Sequence, residues 1–258
     1  MKTLPPLDVR YPIADAERAT LLEQGQVTLR GVFSAEELAA YTSEIDAYVM
    51  AGRERLSEEE RRMGASPKRV VFSVSDAPES VVRFVTAPRL GAIAADLLHV
   101  PAVRILQFTG FFKPGGAPQL PWHQDASYVP ISTDKMLTVW VPLVDVTPEM
   151  GSLWFVKGSH RWGPRDPRTA ERHPPLKLGL LAAGDASVHL GWTLHCSGPN
   201  TTERMRAALA MLFYADGTKL WCDGRFPLAN VFMQRFFPEL AVGDVAAGPN
   251  NPIVFQAQ

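Results

Sequence analysis

The run AVRILQFTGFF, residues 102–112, decides the class of fold. It is dense in Val, Ile, Phe and Thr, and KPGG follows it directly, a proline and glycine cluster of the kind that ends a strand. Four further runs have the same character: KMLTVWVPLVDV (135–146), GSLWFVKGSH (151–160), GDASVHLG (184–191) and RMRAALAMLFYADG (204–217). Strands this numerous and closely spaced, with no long helices between them, point to a double-sheet jelly roll or barrel rather than a parallel βαβ sheet.

Outward from that block the chain is more helical. Residues 14–24, ADAERATLLEQ, space Ala16, Ala19 and Leu22 as a helix face, and Gly25 stands where a left-handed C-terminal residue is favoured. QVTLRGVF then alternates as a strand, and Ser34 with Glu37 forms a capping box ahead of the helix EELAAYTSEIDAYVM. Residues 52–66 are rich in charge and read as a surface segment near the entrance of a site. KRVVFSV is a short strand, after which two short helices divide before Pro88. Lys68 or Arg69 is a candidate to reach a site, with plain surface charge the commoner fate of either. The tail is expected to give a short helix at FPLANVFMQRFFPEL and an irregular end at PNNPIVFQ. One domain is expected over 1–258: a helical cover (1–100), a β core (101–215) and a C-terminal segment (216–258).

The composition excludes several classes of partner. A net charge of −1 and a pI near 6.6 leave no basic footprint for nucleic acid or an anionic membrane surface. No stretch approaches the roughly 18 apolar residues of a membrane span. Cys196 and Cys222 are too few for a disulfide framework and lack zinc or redox spacing, and the N-terminus lacks the pattern of a secretory signal. A soluble protein in the reducing cytoplasm is the expectation.

The chemistry centres on PWHQDASY, residues 121–128. If that segment is extended, His123 and Asp125 point to one face and offer an imidazole and a carboxylate to a divalent metal. A second histidine from elsewhere would complete the two-histidine, one-carboxylate facial set of non-haem Fe(II). TLHCSGPNTTERMR, residues 193–206, supplies His195, a small polar residue two places on, and arginines in the following apolar run. An arginine inside the apolar run RMRAALAMLF would be a fixed cation there, and guanidinium grips carboxylate bidentately. Arg204 and Arg206 share a strand face, so either one is a candidate to face inward. His189 could be mistaken for the metal ligand, but it lacks the small polar turn that follows His195, and a hydrogen-bonded role suits it better. His160 is expected to hold a loop, His99 and His173 to be peripheral, and Cys196 to point away from the site.

Together QFTGFFKPGG, LPWHQDASY, LTVWVPL, GSLWFVKGSHRWG, GDASVHLGWTLHCSGPN and RMRAAL, in this order and at these separations, resemble the phytanoyl-CoA dioxygenase family of Fe(II)- and 2-oxoglutarate-dependent oxygenases. The resemblance implies a double-stranded β-helix, the cupin-like form of the jelly roll, with helices flanking it. It implies that His123, Asp125 and His195 ligate Fe(II), that Arg206 holds the far carboxylate of 2-oxoglutarate and that Ser197 supports it. Trp140 and Gln107 match positions that often line the cosubstrate pocket. The reaction implied consumes O2 and 2-oxoglutarate, releases succinate and CO2, and hydroxylates or otherwise oxidises a substrate. Halogenating relatives lack an acid at the carboxylate position, and here Asp125 supplies one.

Two rival readings use the same residues: a cupin-like metal-dependent hydrolase or isomerase without O2 chemistry, and a non-catalytic metabolite-binding relative. Trp122, Tyr128, Phe111, Trp154 and Trp192 offer aromatic surface near the motifs, most of it expected in the core. With no long basic cleft visible, a small metabolite or natural-product intermediate is favoured over a CoA thioester. The substrate itself and the oligomeric state are not legible.

Overall fold

The computed structural model describes residues 4–54, 70–222 and 227–257. The charged stretch beyond Glu54, together with Lys68 and Arg69, lies outside the described residues. The first helix, α1 (Asp15–Gln24), ends on Gly25 at φ 80, whose N–H donates to Leu21 O. Strand β1 (Gln26–Leu29) follows. At the start of α2 (Ala35–Glu54) the capping box is formed: Glu37 N–H donates to Ser34 Oγ, and Ser34 N–H donates to Glu37 Oε2. Glu37 also receives both Nη groups of buried Arg89, at 2.7 and 2.8 Å. That pair ties α2 to α4 (Pro88–Leu98), which follows β2 (Val70–Phe72) and α3 (Glu79–Val85).

The remaining strands are β3 (Ala102–Lys113), β4 (Met136–Pro142), β5 (Leu153–Phe155), β6 (Leu176–Lys177), β7 (Ala186–Leu190), β8 (His195–Ser197), β9 (Arg206–Ala215) and β10 (Ile253–Gln256). The larger sheet runs β1-β7-β4-β9-β3-β10, with β2 also paired to β3, and every pairing is antiparallel. The smaller sheet runs β6-β5-β8. The two sheets make a jelly roll. Its larger sheet is not confined to residues 101–215, since β1, β2 and β10 are drawn from either side of that block. The end of the chain is therefore a strand rather than irregular: Phe255 pairs with Val103 and Gln256 with Ala102. Between them, α5 (Pro227–Phe236) is the short helix expected of the tail.

The two faces of the larger sheet do different work. One packs Val139, Val188, Leu209, Met211 and Phe213 against Leu21, Tyr41, Ile45, Phe84 and Ile93 of the helices, a continuous apolar core. The other faces the smaller sheet, where Trp140, Ala208 and Ala210 meet Leu153 and Phe155. Burial of this kind contributes roughly 25 cal/mol per Å2 of apolar surface removed from water. A bulge in β3 between Ile105 and Gln107 swaps the faces: Ile105 joins the helix-side core, while Gln107, Thr109 and Phe111 turn toward the smaller sheet. Among the described residues no helix is long and apolar enough to cross a membrane.

Candidate active site

Between the sheets lies a cleft lined by His123, Asp125, His195, Arg206 and Trp140, among others. His195 opens β8, and an isolated bridge lays residue 123 beside it, with N–H to O bonds in both directions of 2.9 and 3.0 Å. This antiparallel bridge brings the two imidazoles together, with ring centroids 4.1 Å apart. The chain leaves the extended form right after Gln124: Asp125 begins a 3-10 turn, Asp125–Ser127, rather than continuing a strand. The expectation of a shared strand face for His123 and Asp125 is thus corrected. The turn curls the carboxylate back so that Oδ1 lies 3.7 Å from His123 Nε2 and 3.8 Å from His195 Nε2. One ligand atom from each residue lies within 4.8 Å of the others.

Hydrogen bonds around the triad decide which atoms face inward. Pro121 O lies 3.0 Å from His123 Nδ1, and Thr193 O lies 2.9 Å from His195 Nδ1. A carbonyl can only accept, so each Nδ1 carries the proton and each Nε2 presents a lone pair. Thr138 Oγ1 donates to Asp125 Oδ2 at 2.6 Å, and His189 Nε2 lies 3.1 Å from the same oxygen. Burial would raise the Asp125 carboxyl, but the neighbouring imidazoles of His195, His189 and His123 and the His189 hydrogen bond outweigh it. They hold the group well below the usual carboxylate range. His195 is pushed well below the ordinary imidazole range, first by burial and then by His123 and His189, against the pull of Asp125. A carboxylate anion and a neutral imidazole are the protonation states a divalent metal requires.

Arg206, at the start of β9, is 1% exposed, whereas Arg204 is exposed. Its Nη1 donates to Gly151 O and to Ser197 Oγ, both at 2.9 Å, and its guanidinium lies 5.4 Å from the Trp140 ring centroid. Its Nε is buried without a hydrogen-bond partner, and no carboxylate among the described residues pairs with the side chain. Burial lowers its pKa to about 10, so it stays cationic at neutral pH. A buried cation without an acid is costly unless an anion joins it. Ala208 and Ala210, inward-facing on the same strand, leave room beside it. The donor set therefore fits a divalent metal at the triad and a carboxylate at Arg206.

The other expected residues divide. Ser197 and Trp140 stand against Arg206, and Gln107 lines the cleft with its buried Oε1 unpartnered. His189 is 2% exposed and bonds to Asp125, a supporting rather than a ligating position. His160 Nε2 lies 3.1 Å from Leu22 O and holds a loop to α1. Cys196 is buried, its Sγ within 3.7 Å of the Gln119 amide nitrogen. Of the five aromatic residues, Phe111 borders the cleft and Tyr128 sets its ring 6.0 Å from that of His123; Trp122, Tyr128 and Trp192 pack against apolar clusters, and Trp154 lies under Lys177.

Three residues escaped the sequence reading. Thr138 shares the face of Trp140 two positions on, so the parity that brings Trp140 inward marks Thr138 as well. Lys113, fully buried, donates to Ser197 Oγ at 3.2 Å and contacts Gly198 O; it follows Gln107, Thr109 and Phe111 in the same alternation. Gln124 is 1% exposed, its Nε2 donating to Gly163 O at 2.9 Å and Trp192 O at 2.6 Å, while its Oε1 accepts from Arg165 N–H at 2.8 Å. No periodic signal points to it.

Comparison with known proteins adds to this geometry. The chain is 27% identical over 233 residues, 80% of each chain, to a probable alpha-ketoglutarate-dependent hypophosphite dioxygenase of Stutzerimonas stutzeri. Among solved structures, the non-haem alpha-ketoglutarate-dependent carbocyclase SnoK of nogalamycin biosynthesis superposes with a TM-score of 0.77 at 21% identity, covering 98% of this chain and 99% of that one. The epimerase SnoN, solved with Fe3+, alpha-ketoglutarate and nogalamycin RO, gives 0.76 at 25% identity, over 93% of this chain and 98% of that one. The phytanoyl-CoA dioxygenase (PhyH) family matches residues 21–208, a span that includes every strand from β1 to β8. Through that match the chain belongs to the phytanoyl-CoA dioxygenase family, and it is an Fe(II)- and 2-oxoglutarate-dependent dioxygenase.

Proposed function

We propose that the chain hydroxylates a small organic molecule, a metabolite or natural-product intermediate, and that its work is done in the cytoplasm. His123, Asp125 and His195 hold Fe(II) through the two Nε2 atoms and Oδ1. Arg206 and Ser197 take the far carboxylate of 2-oxoglutarate, with Trp140 and Gln107 as walls of the same pocket. The observation that carries this reading is the buried, acid-free guanidinium of Arg206 in the cleft that holds the triad. When bound, iron, O2 and 2-oxoglutarate supply oxidative decarboxylation to succinate and CO2 coupled to oxidation of a substrate C–H bond.

The protein's own part is positional. The Nδ1 protons are fixed on backbone carbonyls, so both rings are held in one orientation and one tautomer. The guanidinium is restrained by Gly151 O and Ser197 Oγ before any ligand arrives, which lowers the ordering cost of binding. Phe111, Leu120, Leu153 and Leu212 line the cleft and restrict water. The nogalamycin ligand bound by SnoN supports a natural-product substrate. Two free cysteines fit a reducing compartment.

The test is anaerobic titration with Fe(II) and 2-oxoglutarate, followed by O2 uptake and succinate release with a library of small substrates. A metal-to-ligand charge-transfer band and substrate-triggered succinate are expected. Absence of both would defeat the proposal, and turnover without O2 uptake would favour the hydrolase or isomerase reading.

A further inference from the structure

We propose that His189, acting with Thr138, is the positioning residue that makes Asp125 a one-oxygen ligand. This rests on the reading above that Asp125 ligates the metal. Thr138 on β4 and His189 on β7 are directly paired in register, so the two side chains project side by side from one face of the larger sheet. They are 5% and 2% exposed. Both reach Asp125 Oδ2, the hydroxyl at 2.6 Å and the imidazole Nε2 at 3.1 Å. Neither reaches Oδ1, which lies between the two ligand imidazoles.

An ionised carboxylate oxygen only accepts, so Thr138 O–H and His189 Nε2–H both donate to Oδ2 and occupy its lone pairs. That oxygen is thereby withheld from a metal, and the carboxylate plane is fixed with Oδ1 forward. Without the clamp the carboxylate could rotate and bring its second oxygen to the ion, competing with other ligands for a place on it. The ring of His189 is also wedged between Phe155 and His195, at centroid distances of 5.4 and 4.2 Å, so its donor cannot swing away. A third histidine packed against the triad is thus a support for the acid rather than an alternative ligand.

The experiment uses the full chain, stripped of metal, with Mn(II) affinity measured by calorimetry and Co(II) coordination by visible absorption. His189→Leu and Thr138→Val remove the donors; His189→Gln and Thr138→Ser retain them at similar reach. Removal is expected to weaken Mn(II) binding about 10- to 100-fold and to alter the Co(II) band pattern, because outer hydrogen bonds tune ligands on this scale. The donor-retaining variants are expected to stay within about threefold of the parent. A merely structural role would lower the melting temperature of the stripped protein and leave the affinity of the folded fraction unchanged, and that result overturns the proposal. Where His189→Leu fails to fold, Thr138→Val decides alone: native affinity and a native Co(II) spectrum overturn it. Failure of the parent chain itself to bind Mn(II) or Co(II) would instead count against the metal site, and so separates the two readings.

Discussion

Arg206 and Ser197 are joined by a 2.9 Å hydrogen bond from Nη1 to Oγ, and both bond to the same carbonyl, that of Gly151. Strand β9 supplies the cation and strand β8 the hydroxyl, while the turn before β5 supplies the carbonyl that restrains both. The anion site is therefore assembled by the near ends of two consecutive strands, nine residues apart in the chain, and a turn 46 residues before the first of them.

Replacing the guanidinium tests that site directly. Arg206→Ala is expected to weaken 2-oxoglutarate binding by about 1.5–3 kcal/mol, about 10- to 150-fold in Kd, the range for hydrogen bonds to charged groups. Arg206→Lys should recover part of the loss, because an ammonium keeps the charge without the bidentate fork. Calorimetry with the metal-loaded protein measures both, and unchanged affinity in the alanine variant would remove Arg206 from the site.

Gly151 sits at φ 82, and a Cβ there would lie 2.6 Å from Gly198 O. Gly151→Ala is expected to cost about 1–3 kcal/mol from backbone strain, and more from the clash. It should also weaken 2-oxoglutarate binding, since Gly151 O restrains Arg206. Thermal melting and calorimetry read the two effects separately. A variant with native stability would show that the turn adapts.

Gln124 lies between two triad residues and links their segment to Gly163, Arg165 and Trp192. Gln124→Met keeps the bulk and removes every one of these hydrogen bonds. A loss of about 1–3 kcal/mol is expected, with the melting temperature lowered by about 2–4 °C per kcal/mol. Native melting behaviour would mean that water replaces the amide.

The thiols give a test of packing that is independent of catalysis. Burial pushes Cys196 up to about 12, although Lys113 and Lys177 oppose the rise. Cys222 is partly exposed. Ellman's reagent near pH 8 should therefore titrate one thiol per native chain and two in denaturant, because the thiolate is the reactive form. Rapid reaction of both in the native protein would show that the segment around His195 opens.

Much of the fold and the site was legible because local patterns act locally. The Ser34–Glu37 capping box, the left-handed Gly25 and the helix break before Pro88 depend on neighbours a few residues away, and each formed as read. His123, Asp125 and His195 could be nominated from residue type and spacing, and the structure brings them within ligand distance of one another.

By itself the sequence determined the residue types a metal and a dicarboxylate need and the strand-rich block that carries them. Tertiary structure alone decided the rest. The 3-10 turn at Asp125 aims its carboxylate, the bulge before Gln107 selects which face meets the cleft, and β10 completes the larger sheet from the far end of the chain. The physical reason is range. Hydrophobic alternation and caps are set by near neighbours, whereas the bulge register, the burial of Arg206 and the pairing of Thr138 with His189 exist only once distant strands have aligned.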